Sequence, residues 1–217
     1  MTGAVLWDLD GTLVDSEGYH WRAWQQIVAA EGFSITHDEF LQTFGLRNDE
    51  ILPRWLGPGA TPARIAAVAQ AKEALYRKLV HESGLHALPG AAEWVHRLAR
   101  QGWRQAIASS APRDNVEAMI DALGLRACFD VTIAGEDVTA GKPDPQVFLT
   151  AAARLGAPPS TCIVVEDAAM GIEAARRARM RSIGVSGKVR LAADCVVSSL
   201  TELPQDAFAS LLAHPCP

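Results

Sequence analysis

The chain has 217 residues, 49% of them hydrophobic, which is enough apolar material for a folded core and excludes global disorder. Twenty Lys and Arg stand against 25 Asp and Glu, a net charge of −5, the wrong sign for a broad nucleic-acid footprint. No apolar run reaches the roughly 18 residues a membrane span needs, and no basic segment followed by an apolar stretch opens the chain. The expectation is a cytoplasmic protein with no nucleic-acid, membrane or protein partner. Cys128, Cys162, Cys195 and Cys216 are far apart and form no C-x-x-C, so they read as reduced thiols and not as a zinc site.

The first element is a short apolar run, Ala4-Val5-Leu6-Trp7, that stops at Asp8-Leu9-Asp10-Gly11-Thr12. Such a run reads as a buried strand feeding a loop. From Glu17 to about Glu82 the signals are helical. Trp21, Trp24, Ile27 and Val28 share one helix face, and Thr61-Pro62 reads as an N-cap with proline at the first helical position. From Leu88 onward strands and helices alternate. Strands are expected at 104–108, 131–134, 162–165, 182–185 and 195–197. Helices are expected between them, beginning at Pro89-Gly90, Pro112, Pro145 and Ala168. This alternation predicts a doubly wound, Rossmann-like parallel sheet. The expected organisation is an α/β core of residues 1–14 and 84–217, with an all-helical cap, residues 15–83, inserted after the first strand.

In an open parallel sheet, ligands bind beyond the carboxyl ends of the strands. Those ends carry Asp8 and Asp10, then Ser109 and Ser110, then Gly141-Lys142-Pro143, then Glu166 and Asp167. Crowded carboxylates need a cation, and hard oxygen donors select Mg²⁺. Mg²⁺ with carboxylates, hydroxyls and a lysine is the chemistry of phosphate groups. Asp8 is the candidate nucleophile, and Asp10, two residues on and projecting to the same side, is the candidate acid and base. Asp8, Asp167 and Glu166 are the candidate metal ligands, with a backbone carbonyl near Asp10. Glu166 has a second reading, in which it only satisfies backbone amides. Gly11 is expected to let the backbone approach the phosphate, and Ser109 and Lys142 to neutralise its charge.

The segment Asp8-Leu9-Asp10-Gly11-Thr12-Leu13-Val14-Asp15-Ser16 resembles the first motif of the haloacid dehalogenase superfamily, in its phosphatase branch. Ser109, Lys142-Pro143 and Glu166-Asp167 resemble the second, third and fourth motifs, in order. The helical insertion resembles the cap of the subfamily that includes phosphoglycolate phosphatase and β-phosphoglucomutase. The resemblance implies a Mg²⁺-dependent phosphotransferase with a mobile cap, Asp8 as nucleophile and Asp10 as acid and base. Asp10 separates the chain from the dehalogenases, which lack the second aspartate. In the cap, His20 and Lys72 match residues of the mutase. Arg47 sits one position early relative to its loop, and the run after Ser109 lacks the mutase-like Ser-Lys-Asn. The expected activity is hydrolysis of a small phosphorylated metabolite such as a sugar phosphate, with Ser110, His20, Arg47 and Lys72 as further substrate contacts. The alternatives are a phosphosugar mutase and, from other classes, a phospho-receiver domain or a non-catalytic binding protein. Read alone, Lys72 is a solvated helix residue.

Overall fold

The computed structural model describes residues 3–186 and 190–213; Cys216 lies outside them. The first strand, β1 (Ala4–Trp7), has only apolar side chains, and all four are buried. Such a strand must be covered on both faces. Val5 and Trp7 pack into one apolar cluster, Ala4 and Leu6 into another on the opposite face, as the two-residue period of a strand requires.

Among the described residues, six parallel strands form the sheet. They are β1, β2 (Arg104–Ala108), β3 (Val131–Ile133), β4 (Cys162–Glu166), β5 (Arg181–Val185) and β6 (Cys195–Val197), in the spatial order β3-β2-β1-β4-β5-β6. The chain winds outward from β1 to β3, then crosses back to β4 and winds the other way. The winding direction therefore reverses beside β1, where the carboxyl ends of β1 and β4 open a crevice.

Helices α1 (Glu17–Ala30), α2 (His37–Leu41), α3 (Asn48–Leu56) and α4 (Pro62–Ser83) lie between β1 and the rest of the core. They enclose an apolar cluster of their own, with Trp24, Val28, Phe40, Leu52 and Val68 at its centre. The expected cap of α4 is present: Thr61 Oγ1 accepts from the Arg64 amide at 3.2 Å, and Pro62 occupies the first turn. Where the chain leaves and re-enters the core, Val14 bridges Ala87, and the Leu88 amide donates to the Leu13 carbonyl at 2.8 Å.

The sheet is flanked by α5 (Ala91–Arg100), α6 (Arg113–Ala122), α7 (Gln146–Leu155) and α8 (Ala169–Arg177). A short helix that the periodicity does not predict, α9 (Ala207–Ala213), closes one face. Its Phe208 is buried against the rings of Trp7, Trp94 and Trp103, at centroid distances of 6.0, 5.1 and 6.1 Å. No helix among the described residues is long and apolar enough to cross a membrane.

Candidate active site

Each strand end delivers a polar side chain because hydrogen bonding holds the backbone extended one residue past the apolar run. The Asp8 amide donates to the Val165 carbonyl of β4 at 3.0 Å, and the Ser109 amide to the Ile133 carbonyl of β3 at 3.1 Å. Asp8, Ser109, Lys142, Glu166 and Asp167 meet in one cleft of about 590 Å³ between the sheet and helices α1–α4.

Lys142 is the hub. Its Nζ donates to Asp8 Oδ1 at 2.5 Å and to Glu166 Oε1 at 2.6 Å, and it lies over the Phe148 ring at 5.0 Å. Burial alone would depress the pKa of this ammonium; the two carboxylates overcome that and raise it above the ordinary lysine value. One lysine does not neutralise three carboxylates. Oxygens of Asp8, Glu166 and Asp167 lie within 4.8 Å of one another. Burial, opposed by Lys142 and reinforced by Glu166 and Asp167, pushes Asp8 well above its ordinary range. Burial and the Glu166 charge push Asp167 to about 7. Three oxygen donors around one point, two of them short of positive charge, fit a hard divalent cation.

Glu166 is 1% exposed, and both its oxygens already have protein donors: Lys142 on Oε1 and the Ala168 amide on Oε2, at 2.8 Å. It therefore fulfils the backbone-satisfying reading as well as standing in the acidic cluster. Its space exists because residue 171 is glycine; a Cβ there would lie 1.8 Å from Glu166 Oε1. Gly171→Ala is expected to cost about 1–3 kcal/mol through overpacking. In a chemical denaturation series this appears as a lower midpoint with an unchanged slope. An unchanged midpoint would contradict the close packing of Glu166.

Gly11 takes a role different from the expected one. Its φ of +82° suits glycine, but its amide donates to the Val14 carbonyl at 2.8 Å and is not free for a phosphate. A Cβ at residue 11 would meet Asp167 Oδ2 at 2.2 Å, so this glycine makes room for Asp167. Thr12 Oγ1 donates to Asp167 Oδ1 at 3.3 Å and holds it from the other side.

Asp10 turns away from the acidic cluster toward the helices. Its Oδ1 accepts from the Ser16 hydroxyl and from His20 Nε2, the latter at 3.3 Å. Burial works against ionisation, but the His20 and Ser16 hydrogen bonds outweigh it and hold the carboxyl below its ordinary range. His20 stacks on Tyr76 at 4.0 Å, and its Nδ1 accepts from Lys72 Nζ at 2.7 Å. Burial and the Lys72 charge keep the imidazole neutral, so the network sets the proton on Nε2, facing Asp10. Lys72 is 2% exposed and donates to Glu73 Oε1 at 2.9 Å, so it is not the solvated residue that helical spacing suggested.

Ser109 is buried, with Oγ accepting from the Ala111 amide at 3.0 Å, and Ser110 is half-buried beside it; both line the cleft. Arg47 also faces the cleft but spends its donors elsewhere. Nη1 reaches the core carbonyls of Gly135 at 2.8 Å and Val138 at 3.3 Å, while Nε and Nη2 grip Asp49. It ties α3 to the core and does not present a bare guanidinium to a ligand.

A family model described as haloacid dehalogenase-like hydrolase matches residues 2–179. The chain belongs to this family. This hydrolase is 36% identical to hexitol phosphatase B of Escherichia coli K12 over 209 residues, covering 92% of the chain and 93% of that relative. It is 31% identical to beta-phosphoglucomutase of Bacillus subtilis, covering 92% and 91%. Its fold matches a crystal structure of beta-phosphoglucomutase from Clostridium difficile with a TM-score of 0.91 at 27% identity, covering 98% of each chain. It matches CbbY from Rhodobacter sphaeroides in complex with phosphate at a TM-score of 0.84 and 32% identity, covering 93% and 96%.

Proposed function

We propose that the chain is a Mg²⁺-dependent phosphatase that hydrolyses a small sugar or polyol phosphate through a phosphorylated Asp8. The observation that carries the reading is the position of Asp8. Its carboxylate stands at the carboxyl end of β1, in the cleft, 2.5 Å from a buried ammonium and inside a cluster of carboxylates that lack neutralising charge. Relatives named hexitol phosphatase B support the substrate class.

Asp8, Glu166 and Asp167 would hold Mg²⁺, which when bound supplies positive charge to the phosphate oxygens. Lys142 orients Asp8 and places a second positive charge beside it. An Asp8 oxygen forms the new bond to phosphorus as the ester P–O bond breaks. Asp10 gives the proton to the departing oxygen. It then takes one from the water that attacks the acyl phosphate, which releases inorganic phosphate and restores Asp8. Without a ligand Asp10 is held in its basic form by Ser16 and His20. A phosphate dianion brought beside it raises its pKa and favours the protonated form needed for the first step.

The test is release of inorganic phosphate from 4-nitrophenyl phosphate and from a hexitol 6-phosphate, with and without Mg²⁺. Turnover that needs Mg²⁺ supports the reading; no turnover of any ester returns the chain to a binding role. Metal binding also has a proton signature. Asp8 and Asp167 are raised in the metal-free protein, and Mg²⁺ needs both ionised. Calorimetric titration with Mg²⁺ at pH 6, in buffers of different ionisation heat, is expected to show proton release. Affinity is expected to weaken as pH falls below about 7. Buffer-independent heats would contradict the charge-starved cluster.

The same shift has a stability consequence. A carboxyl raised in the folded state binds more protons than its unfolded counterpart between about pH 4 and the folded value. The stabilising contribution of Asp167 is therefore present at low pH and lost as pH rises through about 7, unless a cation is bound.

A further inference from the structure

We infer that the cleft accepts an ester with one anionic group and a neutral, partly apolar remainder, and that Glu73 keeps a second anion out. This rests on the phosphatase reading. Beyond the strand ends the cleft runs on between Trp24, Phe40, Phe44, Ile51 and Ile65, an apolar wall continuous with the cluster inside the helices. Such a wall suits the carbon face of a polyol or a ring.

A second phosphate or a carboxylate would need a cation free to meet it. The cations lining the cleft among the described residues are Arg47, Lys72 and Lys142, with His20 beside them. Each is already matched. Lys142 holds Asp8 and Glu166. Arg47 holds Asp49 and two core carbonyls. Lys72 holds Glu73 and the neutral ring of His20, and its remaining surroundings are the faces of Trp24 and Tyr76.

Glu73 is the part of this arrangement that acts against anions. It is 6% exposed and lines the cleft. Its Oε1 accepts from Lys72 and from Asn48 Nδ2, at 2.9 and 2.7 Å, and its Oε2 from Asn115 Nδ2 at 2.5 Å. These donors come from α3, α4 and α6, so the carboxylate is fixed from both sides of the cleft. Burial opposes its ionisation, but Lys72, His20 and Asn48 outweigh that and hold it below the ordinary glutamate range. A second anion passing along the cleft therefore finds the lysine that would have received it spent on Glu73, in an ion pair that is neutral as a whole. An anion taken out of water into this cleft without a free counter-ion keeps its desolvation penalty, which is worth on the order of 100-fold or more in affinity. Neutral hydroxyls meet no such penalty.

The test compares a hexitol 6-phosphate with the 1,6-bisphosphate of the same hexitol. The expected result is a kcat/KM at least about 100-fold higher for the monophosphate, with the bisphosphate inhibiting its hydrolysis only at a Ki about 10-fold or more above KM. Glu73→Gln, which removes the charge and keeps the shape, is expected to narrow the kcat/KM ratio about 10-fold or more. Equal kcat/KM for the two esters in the wild-type enzyme, or a Ki at or below KM, overturns the inference and leaves the phosphatase reading standing. Failure to hydrolyse either ester overturns both. Because the wild-type ratio and Ki decide the matter alone, the inference stays testable even if Glu73→Gln fails to fold.

Discussion

Asp8→Asn is expected to lower kcat on phosphate esters by at least about 10⁴-fold, the scale seen when a covalent nucleophile is removed. The substitution is close to isosteric, and it removes one of two carboxylates that Lys142 Nζ contacts. Glu166 remains as counter-ion, so the ammonium is not left alone in the interior. Asp8 itself carries a pKa raised by burial and by neighbouring carboxylates. Neutralising it therefore relieves repulsion, and the variant is expected to be at least as stable as wild type in the absence of Mg²⁺. Loss of activity with retained stability separates a chemical role from a structural one. A variant that keeps its activity would remove Asp8 from the mechanism.

Lys142→Met is expected to show the reverse combination, in which stability and activity fall together. The lysine is 8% exposed and is the positive partner of Asp8 and of Glu166, which is itself 1% exposed. Removing one partner from a buried ion pair costs about 3–5 kcal/mol, because the other charge stays buried. For a chain of this length that corresponds to a fall of roughly 10 °C in Tm. The fall is expected to be larger above neutral pH than at pH 5. At pH 5 Asp167, raised to about 7, is already protonated in the metal-free protein and needs less compensation, and the upward shift of Asp8 acts in the same direction. A variant with unchanged Tm across that range would contradict the ion-pair geometry around Nζ.

The parts of the site that can be read from sequence are those where the pattern itself breaks. Asp8, Ser109 and Glu166 each end an apolar strand, so a polar side chain at that point has no bland explanation in the period of the strand. Topology then brings the strand ends to one rim, which is why residues more than 130 positions apart, such as Asp8 and Lys142, touch. The second network offers no such signal. Glu73, Asn48 and Asn115 lie in helices, where an isolated polar residue looks like part of a solvated face. Their convergence depends on how α3 and α4 sit against α6, which no local pattern encodes. Lys72 misleads for the same reason: helical spacing suggests exposure, while Trp24, Tyr76 and His20 enclose it. Gly11 shows a subtler limit. Its special conformation is readable beside Asp10, but the group it makes room for is Asp167, which arrives from β4. Helix α9 is missed because seven residues are too few for periodicity to register, although burial of Phe208 among three tryptophans fixes it firmly.

Asp10 belongs to the second network, its carboxyl held by Ser16 and His20. Through His20, Lys72 and Glu73 it is linked to Asn115 on α6, so the protonation and position of Asp10 depend on how the helical layer seats on the core. The Arg47 contacts to Gly135 and Val138 fasten that seating at the opposite side of the cleft.

In the proposed reaction one phosphoryl group becomes covalently attached to Asp8, and rapid quenching with ³²P-labelled 4-nitrophenyl phosphate traps it there. Nitrophenolate leaves without a donated proton, so Asp10→Ala still allows attachment but has lost the base that activates water for its removal. The variant is expected to accumulate up to one label per chain, labile to hydroxylamine as an acyl phosphate is and located by mass spectrometry on the peptide containing Asp8. Nitrophenolate released in a first turnover with no label on the protein, or label on any other residue, would contradict the account.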